Sequence, residues 1–599
     1  GDGRMLLPVL GAPPDKVAND LREADGTLRY FDHVFPLRPG TEGLPLSELL
    51  DAQHYELADW RDASTRLNYR RFFDISTLIG ISQEERDVFD ETHQVLLRLY
   101  RDGLIDGFRI DHPDGLADPR GYLRELRAAT DGAWVVVEKI LARDEELPGD
   151  WPCAGTTGYD ALALVDRLFT DPAGAAPLDR AYADMIGRPP PEFAEVAYQA
   201  KHEMATEAFA AEVSRLLRLL PPDRRDREAL IDRIAASRVY RTYELTDEFT
   251  IRYQQTTGPV VAKGVEDTAG YRWHRLVSLN EVGGDPDQLA VAPEEFHAAM
   301  AHRAATWPAT MTTLSTHDTK RQEDVRARLA VLSEIPDEWA AQVADWRATM
   351  GGQLDGIDRE TEYLIWQTLA GAWPIGGDRL GEYLTKAVRE AKLRTSWTDP
   401  DEYYEQTVRR FADAMLAKGG PAEQIAHFVM RISADARVNS LGVKLVQLTM
   451  PGVPDVYQGC ELGAFALTDP DNRRQVDFGR RRELLAAGAA DGLDAEKLLV
   501  TSRALRLRRD HPDWFAAGYT PLAADGPRAA HAVAFARGGA VTAATRLPVG
   551  LRRAGGWGGT TLDPGAGAWR DLLTGTAYRT PILMADLLSS FPVALLVRV

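Results

Sequence analysis

The stretch LIDGFRIDHPDG, residues 104–115, runs from a short apolar segment into a cluster of charge: Arg109, Asp111, His112 and Asp114. A strand buried on both faces reads as a continuous apolar run bounded by turn residues. Pro113 and Gly115 supply the turn, but the charges begin inside the strand itself. Asp111 therefore has two readings: the N-cap of a following helix, the commoner role for a lone Asp after a strand, or a side chain that the strand aims at a substrate.

The flanking residues favour an α/β architecture. Upstream, SQEE (82–85) opens a segment with Val88, Phe89, Thr92, Val95, Leu96 and Leu99 at helical spacing, ending at Gly103, which predicts a helix over 82–103. Downstream, GYLRELR (121–127) predicts a second helix and AWVVVE (133–138) a β-branched strand. Helix, strand, loop, helix, strand is the rhythm of a parallel sheet wrapped by helices. GPVVAK (258–263), MTTLST (311–316) and KLVQLTM (444–450) continue it as three further expected strands. From Glu138 to Lys263, and again from Asp318 to Lys444, the chain is too long for a single crossover helix. These intervals are read as helical insertions at about 145–255 and 325–440, placed in strand-to-helix loops that build the active face of a barrel. From 517 onward Gly-rich sequence with short apolar runs, including AVAFARGGAVTAAT (532–545), predicts a small antiparallel β-domain with a hairpin at Gly538-Gly539.

The expected fold is thus α/β: a (β/α)8 TIM barrel over 1–516 with large helical insertions, and a C-terminal antiparallel β-domain over 517–599. At 599 residues the chain is too long for one ordinary compact domain. A net charge of −20 argues against nucleic acid or an anionic membrane as partner, since phosphate binding needs clustered Lys and Arg. Two cysteines, Cys153 and Cys460, exclude a disulfide framework and fit a reducing, cytoplasmic compartment. No apolar run reaches the roughly 18 residues of a membrane span, and GDGRMLLPVLGAPPD does not read as a signal peptide. No metal-ligand spacing stands out, so no metal and no cofactor are expected. The chain begins on Gly with Met at position 5, and its natural start is expected to lie elsewhere.

Three acidic residues stand at or just past expected strand ends: Asp111, Glu138 in VVVEK (135–139), and Asp318 in STHDTK (315–320). In an α/β barrel such ends converge on one mouth, where mutual repulsion raises the pKa of at least one carboxyl. A retaining glycosidase needs that combination: an ionised carboxylate to attack the anomeric carbon, and a protonated one about 5 Å away for the leaving oxygen. Arg109, two residues before Asp111 and so on the same strand face, would hold the nucleophile ionised. Taken singly, Asp111, His317 and Asp318 are more often helix caps; Glu138 closing an apolar strand is costly unless it faces a cavity or a partner.

In this order, GFRIDH, VVVEK and HD resemble the nucleophile strand, the acid/base strand and the third carboxylate of the α-amylase family of retaining α-glucoside enzymes. MPGVPDVYQGCE (450–461) is similar to that family's eighth-strand loop, and DPDNRR (469–474) to the stretch after it. Within the family, LLPVLG (6–11), NYRRFFDI (68–75), GPVVAKGVEDT (258–268) and RTSWTDPD (394–401) resemble the maltooligosyl trehalose synthase branch. The resemblance implies an isomerase acting on maltooligosaccharides, turning the reducing-end α-1,4 linkage into an α,α-1,1 linkage in trehalose biosynthesis. Asp111 would attack, Glu138 would act as acid and then base, and Asp318 would grip sugar hydroxyls. Arg109, His112, Lys263, Glu266 and His317 are the expected substrate-binding residues, with a structural Lys263–Glu266 ion pair as the equal alternative. Tyr69, Phe72 and Phe73 are either glucose-stacking aromatics or core. A plain α-glucan hydrolase or transglycosylase with the same carboxylates is the competing enzyme reading, and a non-catalytic glucan-binding protein the competing class.

One departure stands against the family pattern. No AsnHis-bearing third-strand segment occurs, and counting back from Arg109 leaves the first three or so βα units unaccounted for. The expectation is that they are missing from this chain, which is then a fragment or is completed by a separate N-terminal piece.

Overall fold

The computed structural model describes residues 3–599 except 489 and 517 and the side chains of 353 and 354. Residues 1 and 517, at which the expected domain limits were placed, lie outside the described residues. The chain divides into two compact units, one of residues up to 105 with 112–132 and 197–265, the other of 106–111, 133–196 and 266–599.

The first unit holds small sheets and a helical cluster. Met5–Leu10 pairs in parallel with Tyr55–Asp59, and Leu21–Ala24, Thr27–Tyr30 and His33–Pro36 form an antiparallel meander. Both close over a core of Leu10, Leu28, Leu49 and Leu57. Arg71–Phe72 and Ile75–Ile79 make a hairpin, and Arg86–Arg101 and Pro119–Thr130 are the two helices predicted around the opening motif. Asp118 caps the second of them through the Gly121 N–H, so the N-cap role that competed for Asp111 belongs to a residue seven positions later.

GPVVAK is not a strand. It lies in the second half of the helix Glu248–Val265, with Pro259 inside it. Val260, Val261 and Ala262 are all buried, so no polar face marks the helical period, and an enclosed helix reads like a two-face-buried strand. The ten residues upstream carry the helix into the segment.

The second unit carries the parallel pairing around the opening motif. Gly107–Ile110, Trp134–Val137 and Gly155–Thr156 form one three-stranded parallel sheet, with Ile110 opposite Val137 and Gly155 opposite Val136. Gly107 is required there: a Cβ would stand 2.3 Å from the carbonyl oxygen of Trp134 on the neighbouring strand. A second parallel pair joins Met311–Thr312 to Val453–Pro454. MTTLST is therefore strand only over its first two residues. KLVQLTM is the end of the 28-residue helix Ala422–Thr449, whose residues from Asn439 onward are all buried, and the strand expected there lies after it, at Val453–Pro454. The same ambiguity of fully buried runs misplaced both.

Helices dominate 159–186, 293–306 and 323–449 in this unit. Beyond 519 a six-stranded antiparallel sheet runs in the order Thr520–Leu522, Ala532–Arg537, Ala540–Thr545, Val593–Arg598, Ala568–Asp571, Ala577–Arg579. Its central hairpin turns at Gly538-Gly539, where Gly538 has φ +52° and a Cβ would lie 2.6 Å from Trp514 Cα. Val533 and Phe535 pack with Phe169, Leu445 and Val446 in one core. No helix among the described residues is long and apolar enough to cross a membrane.

Candidate active site

The register of the parallel sheet builds the site. Asp111 and Glu138 each follow one of the opposed residues Ile110 and Val137, and the Glu138 N–H donates to the Ile110 carbonyl at 2.7 Å. They leave adjacent strand ends, which in a sheet are about 4.8 Å apart. Arg109 Nη1 donates to Asp111 Oδ1 at 2.7 Å, the same-face contact that a period of two predicts. Burial opposes the Arg109 charge, but Asp111 and, more weakly, Glu138 outweigh it and leave its pKa raised. The residue after Glu138 turns the other way: Lys139 is buried and pairs with Glu145 at 2.8 Å.

Asp318 stands in the loop after Met311–Thr312. His317 Nε2 lies 2.9 Å from Asp318 Oδ2. Burial works to keep Asp318 neutral, yet His317 and then Lys320 override it, so its carboxyl titrates below the ordinary value. The same contact raises His317, against the opposing effect of its own burial. The loop is fastened from below. Buried Glu281 accepts the N–H groups of Lys320 and Arg321 at 2.7 and 2.8 Å, Asn472 donates to the carbonyls of Thr316 and His317, and Lys320 is ion-paired with Asp267.

Tyr159 links these parts. It opens the helix Tyr159–Leu168 just after the third strand of the sheet, and its hydroxyl is 2.8 Å from Thr316 Oγ1. Burial raises its pKa first, followed by the charge of Asp318 and then that of Glu138, while Arg109 pulls the other way. The phenol thus lies within the field of Asp318, Glu138 and Arg109. Sequence reasoning missed Tyr159 and Glu281. The signal for Tyr159 was TTGYD at 156–160, a strand end followed by a turn and a helix start; Glu281 carried no local signal.

Of the remaining expected residues, Glu266 accepts the Gly283 N–H at 3.4 Å in the same unit. His112 and Lys263 belong to the first unit. His112 sits at φ +43°, its ring 4.5 Å from that of Phe73 and 5.7 Å from Phe72. Lys263, at the end of its helix, lies 3.7 Å from Asp74 and over the Phe73 ring. Phe72 and Phe73 therefore pack against each other and against His112. Tyr69 donates its hydroxyl to the Ser76 carbonyl.

One group with the spacing of metal ligands comes together only in three dimensions, on the helices Phe193–Thr206 and Arg227–Ala235: His202 Nε2 is 3.3 Å from Glu228 and 3.7 Å from Asp232. It is a solvent-facing ion-pair cluster, with Tyr198 also donating to Asp232. The sequence predicted no such group because its members come from separate helices.

No family model matches the chain. A Mycobacterium tuberculosis protein assigned as a maltooligosyl trehalose synthase is 41% identical over 646 aligned residues, covering all of this chain and 82% of that protein. The solved structure of the maltooligosyltrehalose synthase from Arthrobacter ramosus matches with a TM-score of 0.96 at 43% identity, over all of this chain and 84% of that one. A hypothetical maltooligosyl trehalose synthase of Sulfolobus tokodaii matches with a TM-score of 0.85 at 30% identity, again over all of this chain and 83% of the other.

Proposed function

The chain belongs to the maltooligosyl trehalose synthase family, and on that premise we propose how its own residues carry the family's reaction, the conversion of the reducing-end α-1,4 linkage of a maltooligosaccharide to α,α-1,1. Asp111 attacks the anomeric carbon of the penultimate glucose while Glu138 gives a proton to the leaving oxygen. This forms a glycosyl ester on Asp111 and frees the terminal glucose. That glucose turns within the site, Glu138 takes the proton from its anomeric hydroxyl, and the oxygen displaces Asp111. Two inversions at one carbon retain the α configuration. Water is the competing nucleophile, so the freed glucose must be held and solvent excluded until it has turned.

The observation that carries this reading is the pairing of Ile110 with Val137, which delivers Asp111 and Glu138 side by side with Arg109 fastened to Asp111. Asp318, kept ionised beside His317, is assigned to the hydroxyls of the distorted sugar, and Glu266 to the reorienting glucose. Lys263 is assigned with Glu266 to the reorienting glucose, and His112 and His317 to sugar-hydroxyl donation.

We read the parallel strand pairs as wall segments of a (β/α)8 barrel with helical insertions, and the antiparallel sheets beyond 517 as a C-terminal β-domain; the alternation of parallel strands and helices supports this. The relatives carry their additional length within one chain, which leaves a separately supplied N-terminal piece without support. The free thiols Cys153 and Cys460 support a cytoplasmic setting.

The test uses maltopentaose and a reducing-end assay. Isomerisation removes reducing ends without changing the number of glucose units per molecule, whereas hydrolysis creates them. A net rise in reducing ends would contradict the proposal.

A further inference from the structure

A cavity of about 700 Å³ opens within the first unit, walled by the segment around Arg70, the end of the hairpin near Gly80, and the helices Ala210–Leu219 and Glu248–Val265. In a chain with a net charge of −20, its inner wall is unusually rich in arginine. Two of these guanidiniums are already satisfied. Arg71 and Arg215 share Glu212, each at 3.3 Å, and donate to the carbonyls of Ala208 and Tyr69 respectively. Arg252 reaches the amide oxygen of Gln255 at 2.9 Å and stands 4.0 Å from the exposed Glu248.

Arg70 differs. Among the described residues its half-buried guanidinium makes no side-chain hydrogen bond and no ion pair. Burial first, and then the charges of Arg252 and Arg215, lower its pKa to about 10, so it stays cationic at neutral pH and pays for that charge without a partner. Glu84 is its nearest source of negative field, but that carboxylate accepts the N–H of Ala117 at 2.5 Å. Glu84, Glu85 and Glu248 are exposed and also line the cavity.

We propose that this cavity is a binding site for one phosphate group, free or esterified, held by Arg70 and Arg252. Guanidinium forks match phosphate oxygens pairwise, and two forks, one from the segment around Arg70 and one from the helix Glu248–Val265, suit a tetrahedral oxyanion better than a planar carboxylate. The exposed carboxylates Glu84, Glu85 and Glu248 disfavour an extended polyanion such as nucleic acid. Tyr69 lines the same space and offers a ring face to the organic part of an ester.

The test is calorimetric titration and thermal unfolding of the full chain with inorganic phosphate, a hexose phosphate and maltose, at ionic strength matched with sodium chloride. Saturable binding of inorganic phosphate or of the hexose phosphate is expected, the two arms telling the free from the esterified form. Arg70→Met and Arg252→Met should each weaken it at least tenfold, while unliganded Arg70→Met unfolds at a temperature no lower than the parent. Phosphate effects reproduced by sodium chloride, phosphate binding unchanged in Arg70→Met, or saturable binding of maltose alone that Arg70→Met abolishes would each overturn the proposal. Because the readout is binding, its failure leaves the assignment of Asp111 and Glu138 untouched.

Discussion

Asp111 and Asp318 are served by different cations. Asp111 takes a charge-assisted hydrogen bond from Arg109, a group that stays charged at any working pH, whereas Asp318 relies on His317, which does not. Replacing Asp111 by Asn removes the proposed nucleophile and keeps the shape. Turnover of maltopentaose is expected to fall by about a thousandfold or more, with the unfolding temperature within a few degrees of the parent. Glu138→Gln should lose activity to a similar degree, and a variant that kept it would displace Glu138 from the acid/base role. His317 has a raised folded pKa, so the stability it contributes is complete below its unfolded value and is lost as pH rises through the folded one. Titrating the ring by NMR should give a pKa above that of free histidine, and Asp318→Asn should return it towards the ordinary value.

At the scale of elements, the helix Ala422–Thr449, whose end the sequence reading took for a strand, shares a buried ionic network with two neighbouring helices. Glu323 of the helix Glu323–Ala330 lies 2.6 Å from Lys444 on Ala422–Thr449 and 2.7 Å from Lys497 on Gly492–Asp510, and Lys497 also holds Asp324 at 2.5 Å. All four side chains are essentially inaccessible to water. Burial pushes Glu323 towards the neutral form, but the two lysines prevail and hold its carboxyl well below the ordinary value. Lys497→Met leaves two carboxylates short of compensation and should cost about 3–5 kcal/mol, measured as a lowered urea midpoint. Sequence alone could not show this, since Lys444 reads as a polar residue opening an apolar run. By contrast, the segment from Arg86 to Val137 was legible because its helices keep one polar face and its strands end in real turns.

At the scale of the molecule, one buried carboxylate ties the C-terminal sheet region to the helical part of its unit. Glu334 accepts the Gly550 N–H at 2.7 Å and that of Val549, both on the helix Pro548–Arg553. Burial is the main cause that raises its pKa to about 7, and the two N–H donors only partly offset it. A raised carboxyl pKa means that the folded state holds a proton the unfolded state has lost. Stability therefore falls as pH rises from the ordinary carboxyl value to about 7 and is level above it. The loss approaches about 3 kcal/mol at one pKa unit per 1.36 kcal/mol. Glu334→Gln keeps an acceptor without the charge. It should be more stable than the parent at pH 8, with the difference vanishing by about pH 4 in denaturant titrations.

Sequence alone determined the parallel α/β motif around GFRID, the placing of Asp111 and Glu138 at adjacent strand ends and of Asp318 in a loop past a strand, the same-face relation of Arg109 to Asp111, and the hairpin at Gly538-Gly539. Each of these rests on local chemistry: a period of two, a turn residue, or a charge where an apolar strand should end. Tertiary structure decided that GPVVAK and KLVQLTM are helices, that Tyr159 lies within the field of two of the carboxylates, that Glu281 fastens the loop carrying Asp318, and that Arg70 faces a cavity. A fully buried run has no polar face to reveal its period, and a long-range contact leaves no trace in the residues beside it.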